Sequence, residues 1–105
     1  MEQIDGDRFD EVVGVSPAPY LVDFWATWCA PCEAYGPIVD EVVAERGPGL
    51  RAGQLDVAAY PGVAERCGIR TIPAIAVFRD GQIVRRIFGA RTKRYLSDEL
   101  DRLLL

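Results

Sequence analysis

Cys29 and Cys32 stand three positions apart, so their thiols can close a small ring as a disulfide or open it as a dithiol. They lie in Trp28-Cys29-Ala30-Pro31-Cys32, after the apolar run Tyr20-Leu21-Val22-Asp23-Phe24-Trp25 and before a segment of helical character. A pair at a strand-to-helix junction puts its first thiol at a helix N-terminus. The unpaired backbone N–H groups and the helix dipole there favour a thiolate. In a reducing compartment, a C-x-x-C beside a β-α pattern reads as redox or metal chemistry. Structural zinc usually takes four ligands. The chain has no histidine, and Cys67 is the only other sulfur donor, which counts against zinc.

Asp23 is the second residue with chemical potential. It interrupts an apolar strand, so it is expected to be buried, and burial disfavours its charge. A buried acid of this kind can accept a proton, or it can simply bond nearby backbone.

Several elements must position these groups. Residues 7–14 predict a short helix with Phe9, Val12 and Val13 on one face and Gly14 at its end. Ser16-Pro17-Ala18-Pro19 predicts a loop. Tyr20 to Trp25 predicts a strand without alternation, as for a central strand covered on both faces, with Trp25 in the core. Residues 30–46 predict a helix with Pro31 in its first turn, an internal kink at Pro37, an apolar stripe of Ile38, Val42 and Val43, and a stop at Gly47-Pro48-Gly49. Leu50 to Val57 is a weaker strand, diluted by Gly53 and Gln54. Tyr60 to Cys67 is a short helix opened by Pro61 and closed by Gly68.

Ala74 to Phe78, Asp80-Gly81 and Ile83 to Phe88 form a hairpin, because Asp-Gly supplies the positive φ angles of a type I′ turn. Thr92 can cap a last helix with Leu96, Leu100, Leu103 and Leu104 as its stripe. The order β-α-β-α-β-α-β-β-α implies an α/β fold: a mixed sheet, parallel early and antiparallel at the hairpin, with helices on both faces.

The 105 residues are one domain's worth, enough to bury a core without disulfide staples. No apolar stretch approaches the ~20 residues of a membrane span. The acidic start, Met1-Glu2-Gln3-Ile4-Asp5-Gly6-Asp7, lacks the features of a signal peptide, so a cytoplasmic protein is expected. The net charge of −4 is uneven: residues 1–45 carry ten acids and one base, residues 46–105 eleven bases and six acids. Arg85, Arg86, Arg91, Lys93 and Arg94 are the densest basic group, and a solvated edge explains them more simply than an acidic partner. Nothing points to nucleic acid.

Three blocks together resemble the thioredoxin family. The first is Val22-Asp23-Phe24-Trp25-Ala26-Thr27-Trp28-Cys29-Ala30-Pro31-Cys32. The second is Gly68-Ile69-Arg70-Thr71-Ile72-Pro73, similar to the family's cis-proline loop. The third is Phe78-Arg79-Asp80-Gly81, followed by Gly89-Ala90. They fall in family order over essentially the whole chain. The resemblance implies a thioredoxin-like fold, one domain over 1–105, and a thiol–disulfide oxidoreductase acting as a general protein-disulfide reductase.

In that reading Cys29 attacks a substrate disulfide, Cys32 resolves the mixed disulfide, and Asp23 accepts the proton of Cys32. Trp28, Ala30, Pro31, Ile72 and Gly89 make an apolar rim for docking. A cis bond before Pro73 turns the Ile72 backbone toward Cys29. No cofactor is bound. Electrons come from NADPH through a flavin-dependent thioredoxin reductase, the partners are that reductase and disulfide-containing proteins, and the chain is a monomer.

Three departures from the family pattern stand out: Ala30 for glycine, Glu33 for lysine, and Gln54 where many members place a lysine near the buried acid. Cys67 is expected to be an inert buried thiol. An oxidase or isomerase, and a non-enzymatic binding subunit, are the competing functions. The expected absence of a signal peptide opposes the first, and the intact Cys29, Cys32, Asp23 and Pro73 set opposes the second.

Overall fold

The strand that carries Asp23 is covered on both faces, and the architecture follows from that. In a computed structural model describing residues 1–104, β2 (Tyr20–Trp25) is buried at every position but its last. β2 lies in the middle of a five-stranded sheet with β1 (Glu2–Gln3), β3 (Arg51–Asp56), β4 (Ala74–Arg79) and β5 (Gln82–Phe88). The strand order is β1-β3-β2-β4-β5. β1 and β2 run parallel to β3, whereas β4 runs antiparallel to β2 and to β5. The mixed sheet matches the expected fold class. Its first strand, to which the sequence reading assigned no residues, is two residues long.

Alternation along β2 divides the core. Tyr20, Val22 and Phe24 point to one face, with Phe9, Val13, Ala64 and Cys67. Leu21 points to the other, against Tyr35, Val39 and Val42 of helix α1 (Ala30–Arg46) and Leu96 and Leu100 of helix α3 (Lys93–Leu104). Asp23 shares the parity of Leu21, so it faces α1. The N-terminal segment is less regular than the single helix expected: a 3₁₀ turn at Gly6–Arg8 passes into a π-type turn at Asp10–Gly14. Phe9 and Val13 still reach the core.

α1 continues through Pro37, which is exposed, so the missing N–H removes one internal bond without ending the helix. It stops at Gly47, whose φ of 63° suits glycine. Arg46 in its last turn donates to the Ser97 carbonyl (2.7 Å) and fastens α1 to α3. The hairpin has the expected turn, with φ of 53° at Asp80 and 77° at Gly81. Thr92 caps α3, its hydroxyl oxygen accepting from the Tyr95 N–H at 3.1 Å.

Gly53 weakens β3 as a sequence signal, and the packing explains why it is there. A Cβ at this position would lie 2.6 Å from Tyr20 Oη and 2.7 Å from Ile4 Cγ1. Gly53→Ala is therefore expected to cost about 1–3 kcal/mol by overpacking. Adding Tyr20→Phe removes the closest atom, so urea melts should show the double variant losing less than the sum of the single losses. Strictly additive losses would contradict the steric account.

Cys67 follows helix α2 (Pro61–Arg66) as its C-cap and is buried among apolar side chains. Burial pushes its thiol pKa up, against smaller opposing effects of Arg66 and Arg86. We expect the folded, oxidised protein to show one slowly reacting thiol and to stay monomeric. Fast labelling by a bulky maleimide, or a dimer lost in Cys67→Ser, would show instead that this thiol is accessible.

Candidate active site

The parallel strands β2 and β3 end side by side, with Trp25 opposite Asp56 in the register and the Val57 N–H donating to the Trp25 carbonyl at 2.9 Å. The carboxyl ends of strands are where α/β sheets bind ligands. Here a small separate cluster forms: Ala26, Cys29 and Cys32, with Trp25, Val57 and Ile72 against it. Trp25 was expected in the core. It is only half-buried, because its strand ends there, and its indole N–H has no hydrogen-bond partner among the described residues.

Cys29 and Cys32 form a disulfide, their Cα atoms 5.3 Å apart. Cys29 is the N-cap of α1 in extended conformation, and its Sγ accepts from the Cys32 backbone N–H at 3.2 Å. Pro31 occupies the first turn, where its lack of an N–H is harmless. Cys29 is 6% exposed and Cys32 3%. On opening of the disulfide, the same N–H and the helix dipole would act on a Cys29 thiolate.

Asp23 is 1% exposed. Its Oδ2 accepts from Gln54 Nε2 at 3.3 Å, and its Oδ1 has no partner. Burial pushes its pKa up to about 6, the Gln54 hydrogen bond pulls it down, and the charge of Asp40 adds to the rise. Gln54 thus stands beside Asp23 and donates to it as a neutral amide, not as a cation. Gly36 connects this pair to the cysteines. A Cβ there would meet Gln54 Nε2 at 3.5 Å, and Gly36 follows Cys32 by four residues on one helix face. The sequence reading missed Gly36. It also missed Tyr35, a buried tyrosine of the same helix. A glycine and an aromatic inside a helix carry no chemical signal by themselves.

The rim residues divide by exposure. Trp28 is 72% exposed, and Ala30, Pro31 and Gly89 are also exposed. Ile72 is half-buried against the cysteine cluster and Pro73 is buried. The Ile72–Pro73 bond is cis. The Gly89 N–H donates to the Pro73 carbonyl at 2.9 Å, which ties the loop before β4 to the loop after β5. Cys67 does not join this group; it packs in the core cluster with Phe9 and Phe78. Among the described residues, no helix is long and apolar enough to cross a membrane.

Comparison with known proteins agrees with this geometry. A family model described as Thioredoxin matches residues 1–102. Thioredoxin of Mycobacterium tuberculosis is 45% identical over 86 residues, covering 82% of this chain and 74% of the relative. Thioredoxin 1 of Synechococcus elongatus is 40% identical over 96 residues, covering 91% and 90%. The chloroplastic M-type thioredoxin of Chlamydomonas reinhardtii is 40% identical over 101 residues, covering 96% and 72%. With a match of this extent around a paired Cys29 and Cys32, the chain belongs to the thioredoxin family and is a thiol–disulfide oxidoreductase.

Proposed function

We propose that the chain works as a general protein-disulfide reductase, with Cys29 as nucleophile, Cys32 as resolving thiol and Asp23 as proton acceptor. The observation that carries the proposal is the seat of Cys29: its sulfur lies 3.2 Å from a backbone N–H at the start of α1. In the reduced protein the Cys29 thiolate attacks one sulfur of a substrate disulfide. That S–S bond breaks, a Cys29–substrate disulfide forms, and the other substrate sulfur leaves as a thiolate. Cys32 then gives its proton to Asp23 and attacks Cys29 Sγ. The Cys29–Cys32 disulfide closes and the second substrate sulfur leaves. Two electrons have passed to the substrate.

Exposed Trp28, Ala30, Pro31 and Gly89, with Ile72, form the docking rim in this reading, and an exposed apolar patch suits such a role. Pro73 contributes from beneath, through its carbonyl bond to Gly89. The whole chain acts as one thioredoxin domain over residues 1–105. A flavin-dependent thioredoxin reductase, drawing on NADPH, returns it to the dithiol state. The reducing direction suits the cytoplasm.

The direction of the chemistry is open to measurement. Strongly oxidising relatives place a histidine between the cysteines, which stabilises the thiolate and hence the reduced form; here Ala30-Pro31 stands there and the chain has no histidine. The potential should lie near the ~−270 mV general for thioredoxin rather than the ~−120 mV of the strong oxidant. Insulin reduction with dithiothreitol should be rapid and vanish in Cys29→Ser. A potential above about −180 mV, the isomerase range, would exclude a dedicated reductase.

Asp23 makes stability depend on pH. Well below the unfolded value of 3.8 it is protonated in both the folded and unfolded chain. With a folded pKa of about 6 against 3.8, the folded chain keeps a proton that the unfolded chain has lost, so stability falls as pH rises between those values. Above pH 6 the full penalty is present, on the order of 3 kcal/mol before relaxation. Asp23→Ala should stabilise the protein at pH 7 by about 1–2 kcal/mol, because the cavity and the lost Gln54 bond offset part of the gain. It should flatten stability between pH 4 and 7 and slow turnover. Melts showing the variant less stable at pH 7 would mark Asp23 as a structural carboxylate.

A further inference from the structure

We propose that the docking rim selects disulfides flanked by acidic residues, through Arg70 and Arg91. This rests on the reductase reading above and adds a substrate class to it. Among the described residues, eight of the twelve basic side chains have a carboxylate partner: Arg8, Arg46, Arg51, Arg66, Arg85, Lys93, Arg94 and Arg102. Four do not. Arg79 donates to the Leu103 carbonyl and Arg86 to the Cys67 carbonyl, so their guanidinium groups serve the backbone. Arg91 lies over the Tyr95 ring at 4.3 Å. Arg70 is exposed and has no ion pair among the described residues. The two cations without carboxylate or carbonyl partners are thus the two in the loops of the cysteine site.

Their placement is paired. Arg70 precedes Ile72 by two residues, and Arg91 follows Gly89 by two. The Gly89–Pro73 hydrogen bond holds these loops together. A substrate segment lying along Ile72 runs between the two loops that carry these arginines, Arg91 resting on the Tyr95 ring. Among the described residues, the acids of the neighbourhood form no ion pair with either arginine. Asp56 accepts from the Ala58 and Ala59 N–H groups through Oδ1. Glu65 lines a cavity of about 480 Å³ with Arg70 but forms no ion pair with it. Glu33 lies on the α1 side, next to Cys32, and also has no ion-pair partner among the described residues. An Asp or Glu on each side of a substrate disulfide complements the two loop arginines. Guanidinium groups suit such carboxylates by their planar, two-pronged donors.

The test uses three synthetic peptides carrying one disulfide, identical except that the flanking residues are Glu, Ser or Lys. For the wild-type protein, kcat/KM should rank Glu above Ser above Lys. The Glu-to-Ser ratio should be roughly 3- to 30-fold at low salt, the span of two exposed charge pairs. It should fall toward one in ~0.5 M NaCl. Arg70→Glu with Arg91→Glu should reverse the order. Equal turnover of all three peptides by the wild-type protein overturns the charge selection and leaves the reductase reading standing. Failure to reduce even the Ser peptide overturns the reductase reading, and the selection with it.

Discussion

The reactive end of this molecule depends on one interaction, the hydrogen bond from the Cys32 N–H to Cys29 Sγ. A helix start leaves its first amides without partners. Most helices satisfy one of them with the oxygen of Ser, Thr, Asp or Asn. Here a sulfur does it, so the atom that caps α1 is also one half of the disulfide. The cap cannot be altered without altering the chemistry. Everything upstream serves to deliver Cys29 to that position: a central strand buried on both faces, a short exit through Ala26, and a proline in the first helical turn.

The same strand fixes the acid. The period of two along β2 puts Asp23 on the α1 face with Leu21, away from Phe24 and the N-terminal segment. α1 leaves out a side chain at Gly36, and Gln54 of β3 fills the space toward Asp23. Gln54 meets Asp23 in the parallel register of β2 and β3. Register, helix position and glycine thus act together to set one carboxylate beneath the face of α1 that carries Cys32.

Much of this was legible in the sequence because its signals are local. Asp80-Gly81 specifies its turn by backbone sterics alone, and Thr92 and Gly47 mark helix ends by hydrogen-bonding and φ requirements. The run from Tyr20 to Trp25 reads as central because it lacks a polar face. What escaped was set by tertiary packing. The two-residue β1 is too short to leave a pattern. The N-terminal turn bends into 3₁₀ and π geometry while still delivering Phe9 and Val13 to the core. Gly36 and Tyr35 have significance only through what lies across from them. The same holds for Arg70 and Arg91, which have no carboxylate partner among the described residues, since a sequence shows charges but not which of them are paired.

Gln54 shows how the residue beside a buried acid sets that acid's ionisation. A cation beside a buried carboxylate favours the charged form strongly. A neutral amide favours it only through one hydrogen bond. With burial as the largest influence and Asp40 adding to it, the acid stays at about 6. Such a group is about nine-tenths ionised at pH 7. It is also basic enough to hold a proton better than an exposed aspartate would. The cost falls on folding, because an ionised carboxylate is kept in the interior with one oxygen unpaired. The surrounding core of two packed faces is what sustains it.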